Sequence, residues 1–384
     1  MKKFINMPST NTKLKIAYLL DDTLDKTDGV QQYVLAVGEY MRSKGHEVHY
    51  LVADTSRSDL ENVHNISKFV SLKFNGNSVR TPLPVSSKKI KNFLAKNKFD
   101  VVHVQMPYSP FFASKVIKQL PKSTIIVGTW HTFPAGRAQY LSHFLLALMI
   151  RKSLKKVKIA IGVSEPTAKY ADRIYRTKSI VIPNAVNLAK FRSITPDSRF
   201  KTDRKKIVFL GRFDTRKGPK YLIQALAKAR ELGMNMQNIE VVMGGKGPDL
   251  LGCIELAKNF SLFGTITFPG FVDESEKSAL LSSADICVFP STGGEAFGIS
   301  VVEAMASGHS VVLGGDNAGY RSILGEKPEL LFDPKNTVQF ATKLMEFANM
   351  PREEIDKYQL WLKKTADQYD SSVVCAKLLE IYLN

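Results

Sequence analysis

Short apolar runs rich in Val and Ile recur along the chain, and between them lie segments whose apolar residues fall three and four apart. Runs of the first kind suit strands buried on both faces, and segments of the second suit helices laid over a sheet. In the first half the predicted strands are Leu14–Leu20, Glu47–Ala53, Val101–Gln105, Ile125–Trp130, Ile159–Val163 and Ser179–Ile182. Helical patterns cover Val30–Lys44, Lys88–Asn97 and Ser114–Gln119. The pattern loosens over the polar stretch Val186–Arg204, read as a linker, and then restarts. Strands at Lys206–Leu210, Ile239–Gly244, Ile266–Pro269, Ile286–Pro290 and Ser310–Leu313 alternate with helices at Lys220–Leu232, Asp249–Asn259, Glu274–Ser283 and Gly298–Ser307. Arg352–Leu383 reads as two more helices. This alternation predicts an α/β protein of two Rossmann-like domains in tandem, with ligands in an interdomain cleft beyond the carboxyl ends of the strands. A chain of 384 residues suits two domains. The expected bounds are 1–185 and 186–360, with 361–384 as a C-terminal helix packing back on the N-terminal domain.

Composition excludes several classes. Cys253, Cys287 and Cys375 are odd in number and far apart, which fits buried thiols in a reducing compartment better than disulfides or a metal site. No segment reaches the roughly 20 apolar residues of a membrane span, and the best candidate, Leu141–Ile150, carries His143. The N-terminus reads as a leader and a first strand rather than a signal peptide, so a cytoplasmic protein is expected. Charge is uneven. Between Thr81 and Ala160 stand fourteen Lys and Arg against one acid, Asp100, a net +13 of the chain's +18. Such asymmetry points to an anionic partner.

Four glycine-bearing turns follow predicted strands. They are Asp28-Gly29-Val30-Gln31, Gly211-Arg212-Phe213-Asp214 with Lys217-Gly218 beyond it, Gly244–Pro248, and Ser291–Gly308 (STGGEAFGISVVEAMASG). A glycine before a helix lets backbone N–H groups approach an anion where the helix end adds about half a positive charge. Arg212 and Lys217 lie just past a strand's carboxyl end and suit a diphosphate. Each turn alone is better explained as an ordinary βα connection, and the two cations alone are equally a solvated loop. Glu295 and Glu303 bracket the last glycine loop. They fit either a solvated turn and an amphipathic helix, or a ligand carrying both phosphate and hydroxyls. Asp21-Asp22 ends a strand without supporting ligands, so no metal site is read there.

In combination these motifs resemble the family 4 retaining glycosyltransferases of the GT-B fold. The family's Glu-x7-Glu pair matches Glu295–Glu303, its G-R-x4-K-G matches Gly211–Gly218, and its I-P-N-G-V matches Ile182–Val186 with Ala185 in place of Gly. Gly245–Pro248 and Gly270–Val272 also match. Within the family, DGVQQYV (Asp28–Val34), FDVVHVQMP (Phe99–Pro107), TWHT (Thr129–Thr132) and VSEP (Val163–Pro166) are similar to phosphatidylinositol mannosyltransferases and related lipid glycosyltransferases. Asp28 departs from the Gly-Gly-Val-Gln form of its turn. The resemblance implies a nucleotide-sugar donor, GDP-mannose ahead of UDP-sugars. Arg212 and Lys217 would grip its diphosphate, and the backbone around Phe297, Gly298 and Ile299 would face phosphate or sugar. Glu295 would meet the sugar hydroxyls and Glu303 the ribose hydroxyls. Gly245, Lys246 and Val272 would surround the base, while Gly29 and Val30 complete the phosphate site from the other domain. It further implies a front-face displacement that retains configuration, with no cofactor and no metal, and a role for His131 in acceptor or donor-sugar contact.

Two basic clusters bear on the acceptor. Lys88, Lys89 and Lys91 flank Ile90, Phe93 and Leu94, and Arg151, Lys152, Lys155 and Lys156 follow the run Phe144–Ile150. Both suit docking on an anionic membrane surface. Both equally suit helices that turn their apolar stripes into the domain. The resulting expectation is a hexosyltransferase acting on a lipid, peripheral on the inner face of the cell membrane. A soluble sugar-phosphate or polysaccharide acceptor is the alternative. A nucleic-acid binder is the remote one, since no nucleic-acid motif is present. No feature of the sequence sets an oligomeric state.

Overall fold

The computed structural model describes residues 12–26, 28–74, 77–134, 136–192 and 203–384. The expected leader and most of the expected linker therefore lie outside the described residues. The chain forms two compact units, Met1–Ala185 with Ser371–Asn384, and Val186–Asp370.

In unit 1 the elements run β1 (Lys15–Leu20), α1 (Gly29–Ser43), β2 (Glu47–Val52), β3 (Val63–Asn65), β4 (Phe69–Phe74), β5 (Asn77–Pro82), α2 (Ser87–Lys96), β6 (Val101–Gln105), α3 (Ala113–Gln119), β7 (Ile125–Trp130), α4 (Arg137–Leu154), β8 (Ile159–Gly162), α5 (Glu165–Tyr175) and β9 (Ser179–Val181). Seven strands form one parallel sheet in the order β3-β2-β1-β6-β7-β8-β9. Strand order reverses between β1 and β6, where such sheets place ligands. β4 and β5 make a separate antiparallel hairpin that periodicity alone did not indicate. Capping fixes the helix starts. Ser86 Oγ accepts from Lys89 N at 3.2 Å before α2, and Ser164 Oγ from Thr167 N at 3.3 Å before α5.

Unit 2 runs α6 (Ala189–Arg192), β10 (Lys205–Leu210), α7 (Pro219–Glu231), β11 (Ile239–Gly244), α8 (Leu250–Asn259), β12 (Ile266–Gly270), α9 (Glu274–Ser282), β13 (Ile286–Phe289), α10 (Ile299–Ser307), β14 (Val311–Gly315), α11 (Ala318–Leu324), β15 (Leu331–Phe332), α12 (Thr337–Asn349) and α13 (Arg352–Ala366). Its six parallel strands take the order β12-β11-β10-β13-β14-β15, with the reversal between β10 and β13.

Two expected boundaries move. Residues 186–192 are no linker: Val186 bridges Asp370, and Val186, Leu188 and Phe191 are buried in unit 2. The return to unit 1 begins at Ser371, not at 361, because α13 packs on α10 and stays with unit 2. The last helix, α14 (Ser371–Leu383), then places Val374, Cys375, Leu378 and Tyr382 in the core formed by β1, β2 and α1. Tyr382 Oη lies 2.5 Å from His103 Nδ1, and His103 Nε2 lies 2.6 Å from Thr129 Oγ1, so a buried polar chain links α14 to β6 and β7.

Candidate functional site

The loops after β10 and β13 meet at the strand reversal of unit 2. Asp214 shapes the first, accepting from Lys217 N at 2.8 Å, and Gly218 then opens α7 with φ +69°. A Cβ at Gly218 would sit 2.2 Å from the Pro290 carbonyl oxygen, so glycine is required for both backbone sign and close approach. Thr292 N donates to Arg216 O at 2.9 Å, and Ser291 Oγ lies 3.1 Å from the same carbonyl. The stapled loops converge on Glu295. Its Oε1 receives Arg216 Nη1 at 2.6 Å, Lys217 Nζ at 2.8 Å and Ser291 Oγ at 2.7 Å. Burial pushes this carboxyl up, but Lys217, Arg216 and the hydrogen bonds outweigh it and hold the pKa below the ordinary value. Glu295 is ionised, buried, and doubly paired.

Lys217, expected on a diphosphate, here pairs with Glu295, and Arg216, which the sequence reading did not single out, pairs with the same oxygen. Arg212 is not drawn to Glu295. It stands half exposed after β10 and faces Asp214 at 3.6 Å. The signal for Arg216 was present as a second cation beside Lys217, but the motif gave its position no weight.

Phe297 turns its ring into unit 2 against Tyr369, centroids 5.2 Å apart, so its backbone rather than its side chain borders the site. Gly298 precedes α10 with φ +142° and offers no side-chain cap to the N-terminus that begins at Ile299. A Cβ there would come within 2.9 Å of the Tyr320 ring. One turn into α10, Glu303 is buried and Lys277 Nζ of α9 lies 2.6 Å from both its carboxylate oxygens. Burial raises the Glu303 pKa, with Lys277 opposing. The ammonium also stands 5.8 Å over the Phe191 ring of α6, so the misread linker walls this pair. Lys277 is a second residue the sequence reading missed, 26 positions from its partner.

Gly245, Lys246 and Val272 come together at the carboxyl ends of β11 and β12. Phe213 N donates to Lys246 O at 2.9 Å, Gly245 N to Gly270 O at 2.6 Å, and Lys246 Nζ stands 5.0 Å over the Phe271 ring. Val272 packs at Gly244, where a Cβ would meet its side chain at 2.7 Å.

In unit 1, Gly29 and Val30 open α1, and Asp28 occupies the N-cap without a side-chain cap bond. His131 follows β7, its Nε2 2.8 Å from Gln105 Oε1 and its ring edge-on to Tyr33 at 5.1 Å. Burial pushes its pKa down to about 3, against an opposing bond to Asn184, so the imidazole is neutral. Asp21, which follows β1, accepts from Ala113 N at 3.2 Å, and burial lifts its pKa to about 7.

The two basic helices part company. α2 buries Ile90 and Leu94 in the core, and Lys89 Nζ donates to Ile66 O at 2.9 Å, while Lys88 and Lys91 are exposed. Its apolar stripe therefore faces inward. α4 buries Ala147, Ile150 and Leu154 in the domain but leaves a second apolar face bare. Leu141, Phe144, Leu145, Leu148 and Met149 are 62%, 45%, 53%, 56% and 63% exposed, one helical stripe at spacings of three and one. Arg151, Lys152 and Lys155 continue it in solvent, but Lys156 does not, since its ammonium donates to Lys118 O at 2.7 Å and Leu120 O at 2.9 Å. No helix among the described residues is long and apolar enough to cross a membrane.

Known proteins show the same architecture. The profile described as "Glycosyl transferases group 1" matches residues 190–364, and that described as "Glycosyltransferase Family 4" matches residues 27–190. The chain is 28% identical to the phosphatidyl-myo-inositol mannosyltransferase of Mycolicibacterium smegmatis, covering 96% of this chain and 93% of that one. Among solved structures, a glycosyltransferase from Rickettsia africae superposes with a TM-score of 0.75 at 19% identity, covering 96% of this chain and 98% of that one. The Anabaena protein HepE, solved with UDP and glucose, superposes with a TM-score of 0.75 at 14% identity, covering 96% and 99%.

Proposed function

The chain belongs to glycosyltransferase family 4 and has the GT-B fold, and from that premise we propose that it moves a hexose, mannose by preference, from a nucleotide sugar to a lipid acceptor such as phosphatidylinositol at the inner face of the cell membrane. The observation that carries this reading is the Glu295 cluster: two cations on one buried carboxylate beside the uncapped mouth of α10. A diphosphate and a sugar need that pairing of charge and acceptor oxygen side by side.

In this reading Lys217, Arg216 and the freer Arg212 hold the diphosphate, together with N–H groups at Gly298 and Ile299. Glu295 meets the donor sugar's hydroxyls. Glu303 takes the ribose hydroxyls, and Gly245, Lys246 and Val272 flank the base. Gly29 and Val30 contribute N–H groups to the phosphate. The acceptor oxygen attacks the anomeric carbon from the face that the diphosphate leaves, so configuration is retained. The hydroxyl proton passes to the departing phosphate oxygen. Charge on that phosphate is met by fixed cations, so neither a covalent nucleophile nor a metal is required. Neutral His131 hydrogen-bonds a hydroxyl of the acceptor or of the donor sugar. The near-full-length similarity to a phosphatidyl-myo-inositol mannosyltransferase supports mannose and a lipid, and the exposed stripe of α4 supports the membrane.

The test is transfer from radiolabelled GDP-mannose and UDP-sugars into phosphatidylinositol and total lipid, with and without chelator. Label should enter the organic phase from GDP-mannose and persist in chelator. Label from UDP-sugars alone overturns the choice of donor. Purely water-soluble products overturn the lipid acceptor, and chelator loss restored by a divalent ion overturns the metal-free mechanism.

A further inference from the structure

A cavity of about 440 Å³ opens between α4 and α5 at the foot of the unit 1 sheet. Its place follows from connectivity. α4 leaves the carboxyl end of β7 and delivers the chain to the start of β8, and α5 delivers it to the start of β9. The cavity takes its walls from the C-terminal part of α4 and from residues 157–160 and 174–178, so it lies at the amino ends of β8 and β9. His131 lies at the other end of the sheet, separated by the length of α4, about 27 Å for its 18 residues. This cavity is no part of the site at the strand carboxyl ends.

Its lining is of two kinds. Phe144 and Leu148, from the exposed stripe of α4, form an apolar wall, so the cavity is continuous with that stripe. Arg151, Lys155, Lys158, Arg176 and Lys178 form the polar part, all exposed, and no acid lines it. Basic residues at helix ends have an ordinary explanation, because each helix C-terminus carries about half a negative charge. Two such ends, α4 and α5, account for about one cation between them. Asp172, whose carboxylate is bound to the lining residue Thr177 through Oγ1 at 2.9 Å and to Ser179 N at 2.8 Å, accounts for about one more by simple charge balance. Five cations therefore leave a surplus that neither the helix ends nor Asp172 neutralises.

We propose that this basal cavity binds the headgroup phosphate of one anionic phospholipid, a lipid distinct from the acceptor, while the stripe of α4 lies in the acyl region of the same leaflet. The volume falls in the range of small-ligand sites. Apolar wall and cationic rim lie next to each other, as the acyl chain and phosphate of one lipid do. The inference deepens the membrane reading above and rests on it, but is independent of donor and sugar.

The experiment uses the full chain. Dihexanoyl phosphatidylglycerol, dihexanoyl phosphatidylcholine and inorganic phosphate are titrated below micelle concentration against the wild type, R176A/K178A and the surface control K96A/K98A, with calorimetric and melting readouts. Flotation with phosphatidylglycerol and phosphatidylcholine vesicles runs in parallel. The expected result is saturable binding of the phosphatidylglycerol alone, weakened about tenfold or more in R176A/K178A, each lost cation being worth roughly a factor of five, and unchanged in K96A/K98A. Equal binding of the phosphatidylcholine, equal binding of inorganic phosphate, or an equal loss in both double variants overturns the proposal. So does absent monomer binding with vesicle flotation intact, which leaves the membrane reading standing. A wild type that ignores anionic vesicles removes the membrane reading and this inference with it. Circular dichroism and nucleoside-diphosphate binding of R176A/K178A separate loss of the site from loss of the fold.

Discussion

Replacing Glu295 with Gln keeps the side chain's shape and removes its charge. In the wild type one oxygen, Oε1, is held by Arg216 at 2.6 Å, Lys217 at 2.8 Å and Ser291 at 2.7 Å. Breaking a fully buried ion pair costs about 3–5 kcal/mol, because the orphaned charge stays out of water. Here the orphans are the cations, whose side chains are 38% and 23% exposed, so water replaces much of what they lose. The cost falls to roughly 1–2 kcal/mol after that screening. In a domain the size of unit 2 this lowers the melting temperature by about 3–6 °C. Ligand binding should move the other way. Without the internal anion, Arg216 and Lys217 are free for an external one, so affinity for a nucleoside diphosphate should hold or rise by up to about tenfold, the worth of one charge-assisted hydrogen bond. Transfer should still fall by about 10², since Gln cannot supply the negative charge beside the reacting sugar. Calorimetry with GDP and UDP, a melting curve and the radiolabelled transfer assay read the three effects separately. A variant that melts as the wild type does and loses tenfold or more in diphosphate affinity would refute the reasoning, for then the two cations do not serve the phosphate.

Other perturbations have equally definite outcomes. His131→Ala should retain nucleoside-diphosphate binding within about threefold and lose about 10² in transfer, a typical share for one positioned polar group; wild-type turnover removes the residue from the site. Lys277→Met strands the buried Glu303 carboxylate and should cost about 3 kcal/mol in urea denaturation, with K277M/E303Q recovering most of it. A double variant as unstable as the single one shows that the lysine stem, not its charge, matters. The Asp21 carboxyl has its folded pKa raised from 3.8 to about 7, chiefly by burial against the bonds from Ser109 and Ala113. Its contribution is therefore fully present below about pH 4 and lost as pH rises through about 7. Asp21→Asn should leave the melting temperature unchanged near pH 4 and raise it at pH 8; a rise of the same size at both pH values contradicts this.

What the sequence revealed and what it hid divide along a physical line. Most strands of the two sheets are legible because they are buried, so their Val and Ile runs report local geometry without needing a partner, while the short edge strands β3 and β15 went unread. β1 and β10 fall within a residue of expectation at each end. The β4–β5 hairpin went unread although Asn75-Gly76 lies between its strands, a dipeptide that favours tight hairpins. Residues 186–192 looked like a linker because three apolar side chains sat among polar neighbours, and only the packed unit shows that all three are covered. The helices α2 and α4 show the limit most clearly. Both carry an apolar stripe edged by lysines, yet one stripe is core and the other is bare. Composition describes a helix face but not its neighbour. The same holds in the candidate site: Arg216 and Lys277 act through carboxylates 79 and 26 residues away, distances at which no spacing rule operates.

The last helix carries a consequence for how the molecule is made. Residues 186–370 are contiguous, so all of unit 2 is synthesised before α14 is. Unit 1, although begun first, keeps a gap in its core until α14 emerges from the ribosome and Tyr382 reaches His103. For the synthesis time of the intervening residues, the nascent first half exposes the apolar seam of β1, β2 and α1. A trigger-type chaperone would find its substrate there.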